Sequence, residues 1–264
     1  MCLVVGLGVL TWDQVQVWHD SEKLWTRVLA RDPESYLAQN HIGVLLAEQS
    51  KPAEARDHYR KALQIRPDYA DPHINWANAL VREGKLAEAI EHYQRALQIR
   101  PEHAGAHHNL GIALAQQGKP AEASEHFRQA LRLKPDYADA HNNLGNALAR
   151  QGKLTEAIEH YQQALHIKPE SAQAHNNWGL ALANQGQYAE AIEHYRQALQ
   201  IKPDAAEVHT NWGNVLAQEG KLAEAVEHYQ RSLQIDPSSP LNALRGVGMG
   251  TEEAAPSRKG KRVQ

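Results

Sequence analysis

Cysteine is nearly absent from the 264 residues: Cys2 stands alone. That excludes an internal disulfide and a cysteine zinc site, so packing must hold the fold together. Phenylalanine occurs once and methionine twice. Large apolar volume therefore has to come from leucine, isoleucine, tyrosine and tryptophan. Neither sign of charge predominates, since Lys+Arg 28 against Asp+Glu 31 leaves a formal net charge of −3. This argues against a nucleic-acid partner, which would need a broad basic face. There is no Gly-rich phosphate loop, no His-Glu-x-x-His and no Gly-x-Ser-x-Gly, and no domain-sized segment outside the repeats described below that could host such chemistry. The expectation is a non-enzyme without a cofactor.

What is present is a repeat. Pro33, Pro67, Pro101, Pro135, Pro169, Pro203 and Pro237 recur at i, i+34, i+68 and onward without a gap, the spacing of a solenoid. Six units follow, at 36–69, 70–103, 104–137, 138–171, 172–205 and 206–239. Within each, apolar residues recur at helical spacing in two blocks, separated in five units by Gly84, Gly118, Gly152, Gly186 or Gly220. Each unit is predicted as helix, turn, helix, with the glycine in the left-handed region after the first helix. Ser50 takes the glycine's place in the first unit, where a strained or altered turn is expected. Pro52 and Pro120 open second helices, where a missing N–H costs nothing.

The packing columns are nearly uniform. Position 20 of every unit is alanine, from Ala55 to Ala225, position 8 is Gly or Ala, and position 24 is a ring, Tyr59, Tyr93, Phe127, Tyr161, Tyr195 or Tyr229. Small residues bring the helices close, and the rings fill the space between. Trp76, Trp178 and Trp212, at position 7, are read as core.

This pattern, running for instance from Asn143-Leu144-Gly145 through Glu156-Ala157-Ile158 to Ala164-Leu165 and Pro169, resembles the tetratricopeptide repeat (TPR) family. The resemblance implies an all-α, right-handed superhelical solenoid, with first helices lining a concave groove and positions 2, 5, 6, 9, 12 and 13 facing it. Stacking is also required physically, because one helix pair cannot bury its apolar face alone.

The groove is where function is expected. Position 6 is Asn75, Asn109, Asn143, Asn177 and Asn211, with His41 first in the column. Each amide offers donors and an acceptor that match the alternating C=O and N–H of an extended chain. The ladder resembles the peptide-binding superhelix of the O-linked N-acetylglucosamine transferase family. Position 9 alternates Val44, Asn78, Ile112, Asn146, Leu180, Asn214, a two-unit period expected either to alternate apolar and amide steps along a ligand or to record a duplicated pair of repeats. Arg82 and Arg150, both at position 13, are the fixed cations of the groove. With no lysine at positions 2 or 5, a clamp for a terminal carboxylate is not expected. The expected partner is a protein or peptide. Two further readings stand beside this one: the substrate-recognition part of a membrane glycosyltransferase, and a scaffold acting through its convex face.

Eleven of the 16 histidines fall in two columns: His73, His107, His141, His175 and His209 at position 4, and His58, His92, His126, His160, His194 and His228 at position 23. Successive units are about 8–10 Å apart, too far for one ion whose ligands lie about 2.1 Å away. No metal is expected. Each position-23 histidine follows a glutamate by four residues, which predicts exposed Glu–His pairs whose helices gain stability as histidine becomes cationic.

The ends differ from the middle. Residues 2–12 form an apolar run too short to span a bilayer alone, without a basic n-region or small-residue cleavage site. It offers a membrane contact and resembles the membrane-helix junction of transmembrane glycosyltransferases that carry such repeats, or else it is a hydrophobic first helix. This leaves a cytoplasmic or a membrane-associated placement open. Residues 18–33 read as the second helix of a degenerate repeat, capped by Asp20 or Ser21. The 240–264 tail is expected to be flexible and basic, leaving the last repeat uncapped and available for self-association.

Overall fold

A computed structural model describes residues 21–238; the apolar run 2–12, Asp20 and the 240–264 tail lie outside them. The first unit, ending at Lys153, contains α1 (Ser21–Arg31), α2 (Tyr36–Glu48), α3 (Pro52–Ile65), α4 (Ala70–Arg82), α5 (Leu86–Ile99), α6 (Ala104–Gln116), α7 (Pro120–Leu133) and α8 (Ala138–Arg150). The second, beginning at Leu154, contains α9 (Leu154–Ile167), α10 (Ala172–Asn184), α11 (Tyr188–Ile201), α12 (Ala206–Gln218) and α13 (Leu222–Ile235). The described residues are all-α. Within each unit every helix packs on the next, and first helices of successive repeats touch: α2 on α4, α4 on α6, α6 on α8, and α10 on α12.

Proline and glycine set the punctuation. The residue before a repeat-ending proline leaves the helical region, as at Arg66 (φ −135°, ψ 89°) and Lys202 (φ −133°, ψ 88°), because the proline ring excludes that region there. First helices end in a Schellman turn: Lys85 N–H bonds the Leu80 carbonyl at 2.9 Å and Gly84 N–H bonds that of Val81 at 3.0 Å, with Gly84 at φ 75°. Ser50 adopts the same turn, at φ 60° and with Lys51 N–H bonding the Leu46 carbonyl at 2.9 Å. Its turn is strained, not reshaped. Ser50→Gly is expected to stabilise the chain by about 0.5–1 kcal/mol, read as a higher denaturation midpoint with unchanged slope.

The core follows the columns. Position-20 alanines are fully buried from Ala55 to Ala225. A Cβ on Gly43 would lie 2.6 Å from the Tyr59 ring, so the small residue at position 8 is what lets the ring lie between the helices. The tryptophans sit half-buried at the edge of this core, not at its centre. Trp25 on α1 stacks on His41 at 4.1 Å, covering the first repeat.

Candidate functional site

The first helices carry the predicted groove residues. At position 6 the asparagines are half-buried, and their amide nitrogens reach into the preceding repeat. Asn75 Nδ2 donates to Asn40 Oδ1 at 3.1 Å, Asn109 Nδ2 to Asn78 Oδ1 at 3.0 Å, Asn143 Nδ2 to His108 Nε2 at 3.1 Å, and Asn211 Nδ2 to Asn176 Oδ1 at 3.0 Å. One amide hydrogen of each of these side chains is thus spent on fastening repeat to repeat. The second hydrogen remains in each, and the carbonyl remains in Asn75, Asn143 and Asn211, whereas that of Asn109 lies 3.4 Å from His108 Nδ1. Asn177 holds the same column position on α10, and Asn146 stands at position 9 on α8.

Position 5 does not face the groove. Asn40, His108, Asn142 and Asn176 are 3–7% exposed, and three of them accept the bonds just described. Their polarity belongs to the joint between repeats, where a buried acceptor must be paired. The resemblance pointed to the groove, and only the side-chain partners reveal the joint.

The position-9 amides Asn78 and Asn214 have a local role. Asn78 Oδ1 accepts from the Tyr93 hydroxyl at 2.6 Å, and Asn214 Oδ1 from that of Tyr229 at 2.9 Å. These amides satisfy the position-24 hydroxyl of their own repeat. Where position 9 is Ile112 the ring is Phe127, which has no hydroxyl, and where it is Leu180 the buried Tyr195 hydroxyl has no partner among the described residues.

The two arginines differ. Arg150 is exposed and donates to the Ala115 carbonyl at 3.2 Å. Arg82 is also exposed, and among the described residues it has no hydrogen-bond or ion-pair partner. Arg82 stands on a cavity of about 270 Å³ lined by Asn78, Val81, Arg82, Tyr93, Asn109 and Ile112. Three of the predicted residues, Asn78, Asn109 and Arg82, therefore meet at one place. Asn177, Asn211 and Asn214 lie in the second unit, which carries a separate cavity of about 340 Å³ lined in part by Asn176, Lys202 and Glu207.

Family models described as tetratricopeptide repeat match residues 13–70, 108–172, 68–136 and 206–239, and a further TPR model matches 179–220. The chain belongs to the tetratricopeptide repeat family. No curated protein matches its sequence. Among solved structures it is similar to a chain of the APC/C hetero-tetramer Cut9–Hcn1 (24% identity, TM-score 0.70), covering 86% of this chain but 45% of that one. It is also similar to YrrB, described as a TPR protein with an unusual peptide-binding site (26% identity, TM-score 0.57, 71% and 96% covered). PilF of Pseudomonas aeruginosa shares the fold (22% identity, TM-score 0.68, 82% and 97% covered). TPR repeats are typical protein-interaction modules, and TPR proteins are generally non-catalytic scaffolds.

The histidine columns correct the expectation of exposed Glu–His pairs. They face each other. Nδ1 to Nδ1 distances are 2.9 Å for His73 and His92, and 3.1 Å for His107 and His126, His175 and His194, and His209 and His228. The position-4 ring bonds through Nε2 to the carbonyl of the preceding repeat's proline, at 3.0 Å for His107 on Pro101 and 3.1 Å for His141 on Pro135. A neutral ring donating at Nε2 must accept at Nδ1, so the position-23 partner donates from its own Nδ1. Tryptophan closes the arrangement, with Trp76, Trp178 and Trp212 over His92, His194 and His228 at 4.1, 3.9 and 4.3 Å. In the first repeat Gln39 does the same work, its Oε1 2.7 Å from His58 Nδ1 and its Nε2 3.3 Å from the Pro33 carbonyl.

Burial therefore dominates these rings. It pushes the imidazoles of His73, His194 and His228 down to about 4, helped by the neighbouring histidine. His92, His107, His126, His175 and His209 also move down, burial being the first cause in each. The glutamate four residues earlier is a minor opposing influence at His58 and His126. Period four placed the histidine correctly on its helix, but the helix facing it was hidden from a pattern read within one helix. Among the described residues no three His, Cys, Asp or Glu side chains converge as on a metal ion, and no helix is long and apolar enough to cross a membrane.

Proposed function

We propose that the chain binds an extended polypeptide segment along the first helices of its repeats. The carrying observation is the asparagine row: Asn75, Asn109, Asn143 and Asn211 each spend one amide hydrogen on a neighbouring repeat and keep an N–H, and all but Asn109, whose Oδ1 faces His108 Nδ1 at 3.4 Å, also keep a carbonyl. That remainder matches the donor and acceptor that each residue of an extended main chain offers. Asn177 belongs to the same column, Asn78, Asn146 and Asn214 stand one turn further along their helices, and Arg82 and Arg150 supply positive charge. The likeness to YrrB, whose description includes a peptide-binding site, supports the same reading. Main-chain recognition of this kind is sequence-tolerant, and side-chain pockets must add any selectivity.

The test uses a display library of random 12-residue peptides and the full chain. Peptides selected on the wild type are expected to bind Asn143→Ala/Asn177→Ala at least tenfold more weakly, at about 1 kcal/mol for each lost bond. A thermal melt of the double variant confirms that it is folded under the binding conditions. Equal binding by a folded double variant would overturn the assignment.

A further inference from the structure

We infer that the cavity formed by Asn78, Val81, Arg82, Tyr93, Asn109 and Ile112 is a selectivity pocket for an acidic side chain, Asp or Glu, of the bound segment; this rests on the groove reading above. Donors and acceptors decide it. Asn78 Oδ1 already accepts two bonds, from the Tyr93 hydroxyl at 2.6 Å and from Asn109 Nδ2 at 3.0 Å. A carbonyl oxygen has two lone pairs, so its capacity is used. The Tyr93 proton is used in the same bond. What Asn78 has left is its NH2 group, and Asn109 has one hydrogen left on Nδ2, its Oδ1 being engaged with His108 Nδ1 at 3.4 Å.

Arg82 adds the charge. Its guanidinium carries donors only, is exposed and makes no ion pair among the described residues, unlike Arg100, which sits 3.1 Å from Asp71 Oδ1. The cavity thus presents uncommitted N–H groups and a fixed cation between the apolar side chains of Val81 and Ile112. Acceptors are scarce within it: no carboxylate is among its lining residues, and Glu48, the position-13 residue of the preceding repeat, makes no ion pair with Arg82. A donor-rich, cationic space with aliphatic walls suits a carboxylate on a short methylene stem. A lysine would meet charge repulsion from Arg82, and an aliphatic residue would leave the amides unpaired. The volume, about 270 Å³, accommodates one side chain. Arg150, the other position-13 arginine, gives one N–H to the Ala115 carbonyl at 3.2 Å, whereas Arg82 makes no hydrogen bond among the described residues.

The experiment selects a library of random 12-residue peptides, displayed with their C-termini fused to the coat protein, on the full chain and on Arg82→Glu. The fusion removes the free terminal carboxylate, so any acidic preference comes from side chains. On the wild type, Asp or Glu is expected to be enriched at least fivefold at one register position. On Arg82→Glu the preference is expected to shift to Lys or Arg at that position. With a selected peptide made synthetically, Glu→Gln in the peptide should weaken binding about tenfold to the wild type and less than twofold to Arg82→Gln. Selection without acidic preference, or an acidic preference unchanged by Arg82→Glu, would overturn the pocket while leaving the groove. Peptides that bind a folded Asn143→Ala/Asn177→Ala as well as the wild type, or no selected peptide at all, would overturn the groove reading, and the pocket with it.

Discussion

Lowering the pH from 7.5 to 5.0 is expected to reduce the melting temperature by about 10 °C. The histidine pairs are the reason. In the unfolded chain an imidazole takes a proton near its ordinary value of 6.5, whereas burial holds the folded rings of His73, His194 and His228 neutral down to about 4. The unfolded state therefore binds more protons between those values. Stability is fully present above 6.5 and is lost as the pH falls toward 4. Holding a group one pH unit below its unfolded pKa corresponds to about 1.4 kcal/mol. Because the rings are only half-buried, solvent screening reduces their contribution to about 1 kcal/mol each, or several over the chain, and each is worth about 2–4 °C in a protein of this size. Replacing His73, His107, His175 and His209 by glutamine should keep the melting temperature at pH 7.5 and remove roughly half of the acid loss. Gln39 already shows that a glutamine spans the proline carbonyl and the position-23 ring. A melting temperature that rises on acidification, as solvent-exposed Glu–His pairs would produce, contradicts this account.

The second large effect concerns the tyrosine hydroxyls. Asn214→Leu leaves the Tyr229 hydroxyl without the acceptor now 2.9 Å away, and a buried unpaired hydroxyl costs about 1–3 kcal/mol. Tyr229→Phe in the same background should restore most of that, so the two changes are strongly non-additive. The reverse experiment uses Tyr195, which is fully buried and whose hydroxyl has no partner among the described residues. Leu180→Asn places at that repeat the residue that satisfies Tyr93 and Tyr229 in theirs. It should raise stability by about 1 kcal/mol although it removes an apolar side chain that is 39% exposed. Additive effects at Asn214 and Tyr229, measured by denaturant unfolding, would show that the alternation has no such structural basis.

Both effects arise from contacts between helices, which is where a sequence pattern stops being informative. The repeat was legible because prolines recurring at i+34, alanines at position 20 and rings at position 24 each impose a single-residue constraint: a fixed φ, a close approach, a filled volume. The asparagine row was legible as a column, and its reach into the preceding repeat was not, because Asn75 and Asn40 are 35 residues apart and belong to different helices. The histidine columns failed for the same reason. Their shared offset of 19 residues, from His73 to His92 and again in later repeats, was a usable signal, since equal offsets repeated along a solenoid imply equal contacts. The Arg82 pocket depends on which lone pairs are already occupied, which no column of letters records.

The most direct measurement of the central reading is a photo-crosslink from the groove itself. A photoreactive amino acid is placed at Ile112, on the first helix of its repeat and in the wall of the Arg82 cavity, or at Gln94, exposed on a second helix. Each chain is then irradiated with a peptide selected from the random library. Segment binding along the first helices predicts a crosslink from position 112 that Asn143→Ala/Asn177→Ala suppresses, and none from position 94. Equal labelling from both positions, or labelling from position 94 alone, would contradict it.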